Sequence, residues 1–150
     1  MIAWTLISLL VIIVVSDIKY MVIPDKVLLF FTGIFLIERI LLPLTPWWDS
    51  LVGAGAGFFI LLLIAVISKG GMGGGDIKLF ALVGFALGLK TVALSFFLST
   101  LFGALFGVTA LLLKVIKRGH PIPFGPFIAL GTLVAYFFGD FIIDWYIHLL

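Results

Sequence analysis

Asp17 and Asp76 are the residues of this chain best suited to carry chemistry, because each stands where a long apolar run gives way to polar residues. Ionisable groups at membrane depth or at its edge are costly, and are functional candidates for that reason. Asp76 follows the run Lys69-Gly70-Gly71-Met72-Gly73-Gly74-Gly75 and precedes Ile77-Lys78, so five of these ten residues are glycine. Glycine admits φ > 0 and close backbone approach, which suits a loop that presents Asp76 to an extended peptide. The plainer alternative is a glycine-terminated helix followed by an Asp cap on the next one. Two carboxylates that face one another can share a proton. One then acts as base on a water while the other, protonated, polarises a carbonyl. Like charges at close range, and desolvation at a membrane edge, both favour holding that shared proton. Asp25 lies eight residues beyond Asp17, after Pro24, and reads as a cap or turn residue before a helix.

The elements that must position this pair follow from composition. The chain has 150 residues, 64% hydrophobic and 11% charged, whereas soluble domains carry about 25% charged residues. It reads as an all-α integral membrane protein in the lipid bilayer, with residues 1–150 as a single domain. A net charge of +2 is too small to suggest nucleic acid. The absence of cysteine excludes disulfides, thiolate metal sites and a Cys nucleophile. His120 and His148 are far apart, so a zinc site is not expected. The N-terminus lacks the basic flank of a signal peptide, and its apolar run reads as a retained helix.

A spanning helix needs roughly 20 apolar residues. The candidates are residues 2–16, extended through Asp17 to Tyr20; 27–42; 51–68; 76–89; 91–113; and 126 to about 145, a bundle of six transmembrane helices. The fourth is short and is expected to begin inside the bilayer behind a water-accessible loop. Loops one, three and five hold seven of the nine Lys and Arg residues, leaving Arg39 and Lys90 on the other side. That places those loops in the cytoplasm and both termini outside. Asp17 and Asp76 then lie at helix ends on one side of the membrane, a coincidence the charge count did not assume. Gly53/Gly57, Gly84/Gly88 and Gly103/Gly107 have the spacing of close helix contacts, read as internal packing, although the same spacing would serve a homodimer. Glu38 and Arg39, adjacent and on different sides of a helix, are expected at an interface with water.

These residues resemble a known family. Asp17-Ile18-Lys19-Tyr20-Met21-Val22-Ile23-Pro24-Asp25 is similar to the first motif of type IV prepilin peptidases. Gly71-Met72-Gly73-Gly74-Gly75-Asp76-Ile77-Lys78 resembles the second, the G-x-G-D motif of these aspartic membrane peptidases. Pro121-Ile122-Pro123-Phe124-Gly125-Pro126-Phe127 resembles a third stretch, before the last helix. The three occur in the family's order across nearly the whole chain. The resemblance implies an inner (cytoplasmic) membrane, multi-pass endopeptidase with its site facing the cytoplasm. Its substrates would be prepilins or pseudopilins with a basic leader ending in Gly, followed by a hydrophobic helix. It implies Asp17 and Asp76 as the catalytic pair, Lys78 as the lysine that follows the second Asp, and no metal or cofactor. Pro24, Gly73 and Gly75 belong to the matching loops. Many members carry an N-terminal domain with paired Cys motifs, linked to N-methylation. Here Asp17 follows the first helix directly, which implies a peptidase-only member or a piece of a longer one, and proteolysis without methyl transfer.

Other classes make different demands. A proton or cation transporter would need a polar path across the bilayer. Asp140 and Asp144 lie near the far face, but the intervening helices are almost wholly apolar. A structural subunit would use both aspartates as caps and tolerate Asn at each. A phosphate cradle would need the Lys-Ser/Thr ending that the glycine run lacks. The charge count sets the first test. Reporter fusions after Ser50 and after Arg118 are expected on opposite sides of the membrane, and the same side for both would overturn the helix count.

Overall fold

A computed structural model describes residues 1–150. The chain forms six helices: α1 (Ile2–Tyr20), α2 (Asp25–Leu41), α3 (Asp49–Ile67), α4 (Gly74–Leu87), α5 (Leu89–Leu112) and α6 (Gly125–Leu149). Four of them, α1, α3, α5 and α6, are long and apolar enough to cross a membrane. α2 and α4, with 17 and 14 residues, are shorter. The six expected segments are therefore all helices, but only four reach the length of a span.

Only 36 of the 150 residues are buried, although 64% are hydrophobic. Most Leu, Ile, Val and Phe side chains therefore face outward, as an apolar solvent requires. The buried set is narrow and periodic. On α1 it is Leu6, Leu9, Leu10 and Ile13, one stripe at helical spacing. α4 is buried along most of its length and forms the middle of the bundle. α3 lies along α4, and α6 along α5 and α1.

Without a hydrophobic force between helices in lipid, close packing and polar contacts hold such a bundle together. α3 and α4 meet through glycine. A Cβ on Gly53 or Gly84 would run into the other's main chain, and one on Gly57 into that of Phe80. The spacing thus serves internal packing at these three positions. At Gly107, by contrast, an added Cβ would meet nothing within 4 Å. α5 and α6 are joined by the buried Ser95–Thr132 hydroxyl pair at 2.6 Å.

The end of the bundle away from Asp17 corrects one expectation. Glu38 is buried, not interfacial, and accepts a hydrogen bond from Thr5 Oγ1 at 2.7 Å. Arg39 donates to the main-chain carbonyls of Ala86 and Leu42. Helix C-termini leave carbonyls without an internal partner, and one guanidinium fork serves the ends of both α2 and α4. The two side chains do point to different sides of α2, but both sides are occupied by other helices.

The glycine contact sets the second test. Gly84→Ala is expected to destabilise the bundle by about 1–3 kcal/mol, the usual cost of overpacking. Gly107→Ala, with open space, is expected to be neutral or to stabilise by up to about 1 kcal/mol. Thermal midpoints in one detergent compare them, and equal midpoints would sink the close-contact account.

Candidate active site

Asp17 occupies the next position of the buried stripe on α1, four residues after Ile13. Its side chain therefore turns into the bundle where another leucine would have packed. α1 stops one turn later. Met21 adopts the left-handed conformation (φ 55°, ψ 29°), and its N–H donates to the Asp17 main-chain carbonyl at 2.9 Å. Ser16 Oγ donates to the Val22 carbonyl at 2.8 Å and fixes the turn that follows.

Asp76 arrives from a different helix end. α3 closes with paired reverse bonds, Gly70 N–H to Ala65 and Lys69 N–H to Val66. This is a Schellman cap, with Lys69 (φ 52°) in the left-handed position next to Gly70 (φ 87°). After it the chain is extended at Gly73 (φ −70°, ψ 141°), and α4 begins at Gly74. Asp76 is thus inside the first turn of α4 and is not its cap. The sequence suggested φ > 0 or close approach for the glycine run as a whole; Gly70 has φ > 0, but Gly73 and Gly75 do not. Gly75 is required for a different reason: a Cβ there would sit 2.8 Å from Ile23 Cβ. Gly73 has ordinary room, its nearest neighbour being Asp76 Oδ2 at 3.6 Å.

Both carboxylates are buried, at 6% and 9% exposure, and both line the same two adjoining cavities. The larger, about 390 Å³, is bounded by Asp17, Asp76, Met21, Met72 and the loop from Pro121 to Phe124. The smaller, about 210 Å³, continues beneath Val22, Ile23 and Gly75. The loops after α1, α3 and α5, the three basic ones, therefore converge at one end of the bundle. Three residues that sequence reasoning left without a role shape this space: Met21, Met72 and Phe124.

A fourth omission is Gly125. Its main-chain N–H donates to Asp17 Oδ2 at 2.6 Å, a buried bond across 108 residues of sequence. A Cβ at Gly125 would meet that same oxygen at 2.6 Å. The stretch Pro121–Phe127 stands out as a motif, but nothing local in it names its distant partner.

Lys78 and Pro24 line neither cavity. Lys78 Nζ lies 3.0 Å from each Asp25 carboxylate oxygen and fastens the first turn of α4 to that of α2. Both side chains are more than half exposed, so this pair contributes about 0–1 kcal/mol. Asp25 begins α2 without a side-chain cap bond, while Pro24 holds the cap position and its carbonyl accepts from Val27 and Leu28.

Asp76 stands in the first turn of α4, in the same cavities as Asp17. Two carboxylates that share a buried space favour holding one proton between them, beside a cavity of about 390 Å³.

The family model described as the type IV leader peptidase family matches residues 4–108. A prepilin leader peptidase/N-methyltransferase of Bacillus subtilis (strain 168) is 49% identical over 143 residues, 95% of this chain and 58% of that protein. Proteins of the same name are similar in Aeromonas salmonicida (strain A449), 34% over 152 residues, 98% of this chain and 51% of the relative, and in Legionella pneumophila, 36% over 149 residues, 96% and 50%. The chain spans about half the length of the curated relatives it matches. No solved structure matches it.

Proposed function

Since this chain belongs to the type IV leader peptidase family, we propose that it is an aspartic endopeptidase in which Asp17 and Asp76 cleave the basic leader from prepilins or prepilin-like proteins. The observation that carries this reading is the meeting of two buried carboxylates from different helix ends in one cavity. In the proposed reaction an ionised Asp takes a proton from water, and the resulting hydroxide attacks the scissile carbonyl carbon. The protonated Asp gives its proton to the carbonyl oxygen. The tetrahedral intermediate collapses as the C–N bond breaks: the proton on the first Asp passes to the leaving nitrogen, and a hydroxyl of the diol returns its proton to the second Asp, which restores the pair. The products are a free leader carboxylate and a new amino terminus.

The substrate class follows from the surroundings. The convergent loops are proposed to face the cytoplasm of the cell's inner membrane, from the lysine and arginine count. A leader there would approach from water, while the hydrophobic helix that follows it stays among the outward apolar side chains of the bundle. The scissile bond, after the leader's Gly, then falls at the boundary where the two carboxylates lie. The proposal covers peptide cleavage and not the methyl transfer that is also named for the relatives. A homodimer would place a second site in the same membrane and is not needed by this chemistry.

The test is incubation of the purified protein in detergent with a prepilin, followed by terminal sequencing of the product. Cleavage after the leader Gly is expected. Asp17→Ala and Asp76→Ala are each expected to reduce it by at least 10³-fold (about 4 kcal/mol) while the protein still inserts. Asp25→Ala, which removes only the exposed pair with Lys78, is expected to keep most activity. Full activity in either of the first two variants would end the aspartic mechanism, and a loss in Asp25→Ala as deep as in Asp17→Ala would show a different pair at work.

A further inference from the structure

The two carboxylates are not equivalent in their surroundings. Asp17 receives the Gly125 main-chain amide at 2.6 Å, from the first turn of α6, a helix of 25 residues. A helix N-terminus carries partial positive charge and free N–H groups, and a hydrogen bond from such a donor to an ionised oxygen is of the stronger kind. The donor beside Asp76 is the Gly73 main chain, which makes no bond to the carboxylate as short as that from Gly125 to Asp17. The neighbours of Asp76 in the cavities are Asp17, the Gly73 main chain and uncharged side chains. Other charged groups nearby point elsewhere: Lys78 is engaged by Asp25, and Lys19 stacks on Tyr20. No other titratable side chain lines either cavity.

We propose that the Gly125 amide is a positioning group that holds Asp17 as the ionised, water-activating member of the pair and leaves the proton on Asp76, which polarises the scissile carbonyl. This rests on the cleavage reading above. It also gives the Pro121–Phe127 stretch a task. Gly125 must lack a side chain because the carboxylate occupies the place of its Cβ. Pro126 follows at the second helical position, where its missing N–H costs nothing. Phe124 and the residues before it wall the larger cavity. A peptide lying against that loop would therefore press on the same backbone that holds the base.

The clean perturbation replaces Gly125 by glycolic acid in the full chain, so that an ester stands in place of the Phe124–Gly125 amide. It deletes the N–H and adds no atom. kcat is expected to fall about 10- to 100-fold, the range for a hydrogen bond to a charged group, with KM little changed. Without its donor the ionised form of Asp17 is less favoured, so the acid limb of the kcat/KM profile moves to higher pH by about one unit or more. A merely structural role would lower the rate without moving that limb. An acid limb that stays in place, or an alkaline limb that moves instead, overturns the assignment. If the ester variant is too slow to profile at steady state, single-turnover cleavage with excess enzyme gives the same limb, and a limb that stays in place overturns the proposal. Gly125→Ala provides a second route: it keeps the N–H but displaces the carboxylate, and an unaltered kcat in that variant also counts against it. Failure of the cleavage reading is separate, because it shows as activity retained in Asp17→Asn whatever Gly125 does.

Discussion

Two carboxylates side by side at the end of an apolar bundle are the constraint from which the rest of this structure follows. Neither can be ionised there without cost, and both cannot be ionised together without more. The fold answers with a short main-chain donor at Asp17, the Gly125 amide at 2.6 Å, while Asp76 has only the Gly73 main chain beside it. Under the proposed cleavage, a pair held equally would leave the proton free to sit on either carboxylate, and the inequality of the two sites is what would make acid and base distinguishable.

Holding that inequality requires three helix ends to stay in register, and the contacts that do so lie far from the carboxylates. α4 brings Asp76, and it is fixed to α3 by main-chain approach at Gly53, Gly57 and Gly84. Its other end is bound through Ala86 to Arg39 on α2. α6 brings Gly125, and it is joined to α5 by Ser95 and Thr132. These are contacts of small residues and hydrogen bonds, the kinds that retain strength where apolar side chains gain nothing by leaving the lipid. The exposed Lys78–Asp25 pair adds a link between α2 and α4 beside the site. Its position in water makes it weak, so orientation of Asp76 depends on the glycine contacts and on Ile23 against Gly75.

The legible part of this arrangement was periodic or punctuated. The stripe Leu6, Leu9, Leu10, Ile13 places Asp17 on the inward face, and the charge count alone put both aspartates at one end. All six helices were visible as apolar runs, with ends within two residues or so except at the last, which runs on to Leu149. What failed depended on partners distant in sequence. Glu38 looked interfacial because its hydrogen-bonding partner, Thr5, lies on another helix, whereas Arg39, at the Ala86 carbonyl, does stand at the end of the bundle. The glycines looked like sites of positive φ, but at Gly75 the demand is a neighbour's Cβ, which no local pattern records. Lys69, which does adopt the left-handed conformation, gave no sign of it, since residues other than Gly and Asn are uncommon there. Gly125 lay in a recognised stretch, yet its use by Asp17 is a contact that sequence order hides.

The shortness of α4 ties the site to the membrane. Its 14 residues extend about 21 Å at 1.5 Å per residue, whereas the hydrocarbon core is about 30 Å thick. Its far end is level with polar groups suited to a membrane surface: Arg39 at Ala86, Asp49 at the N–H of Leu89, and the exposed Lys90–Asp140 pair. If that end meets one surface, the first turn of α4 stops about 9 Å short of the other. Asp76 is then below the surface, and the residues that complete the crossing are an extended, glycine-rich segment. In hydrocarbon such backbone would be without partners, so it is tolerable only where it lines a space that water or a peptide can enter. The two cavities beneath the loops are that space. A longer α4 would have carried Asp76 out into bulk water, away from the buried space it shares with Asp17.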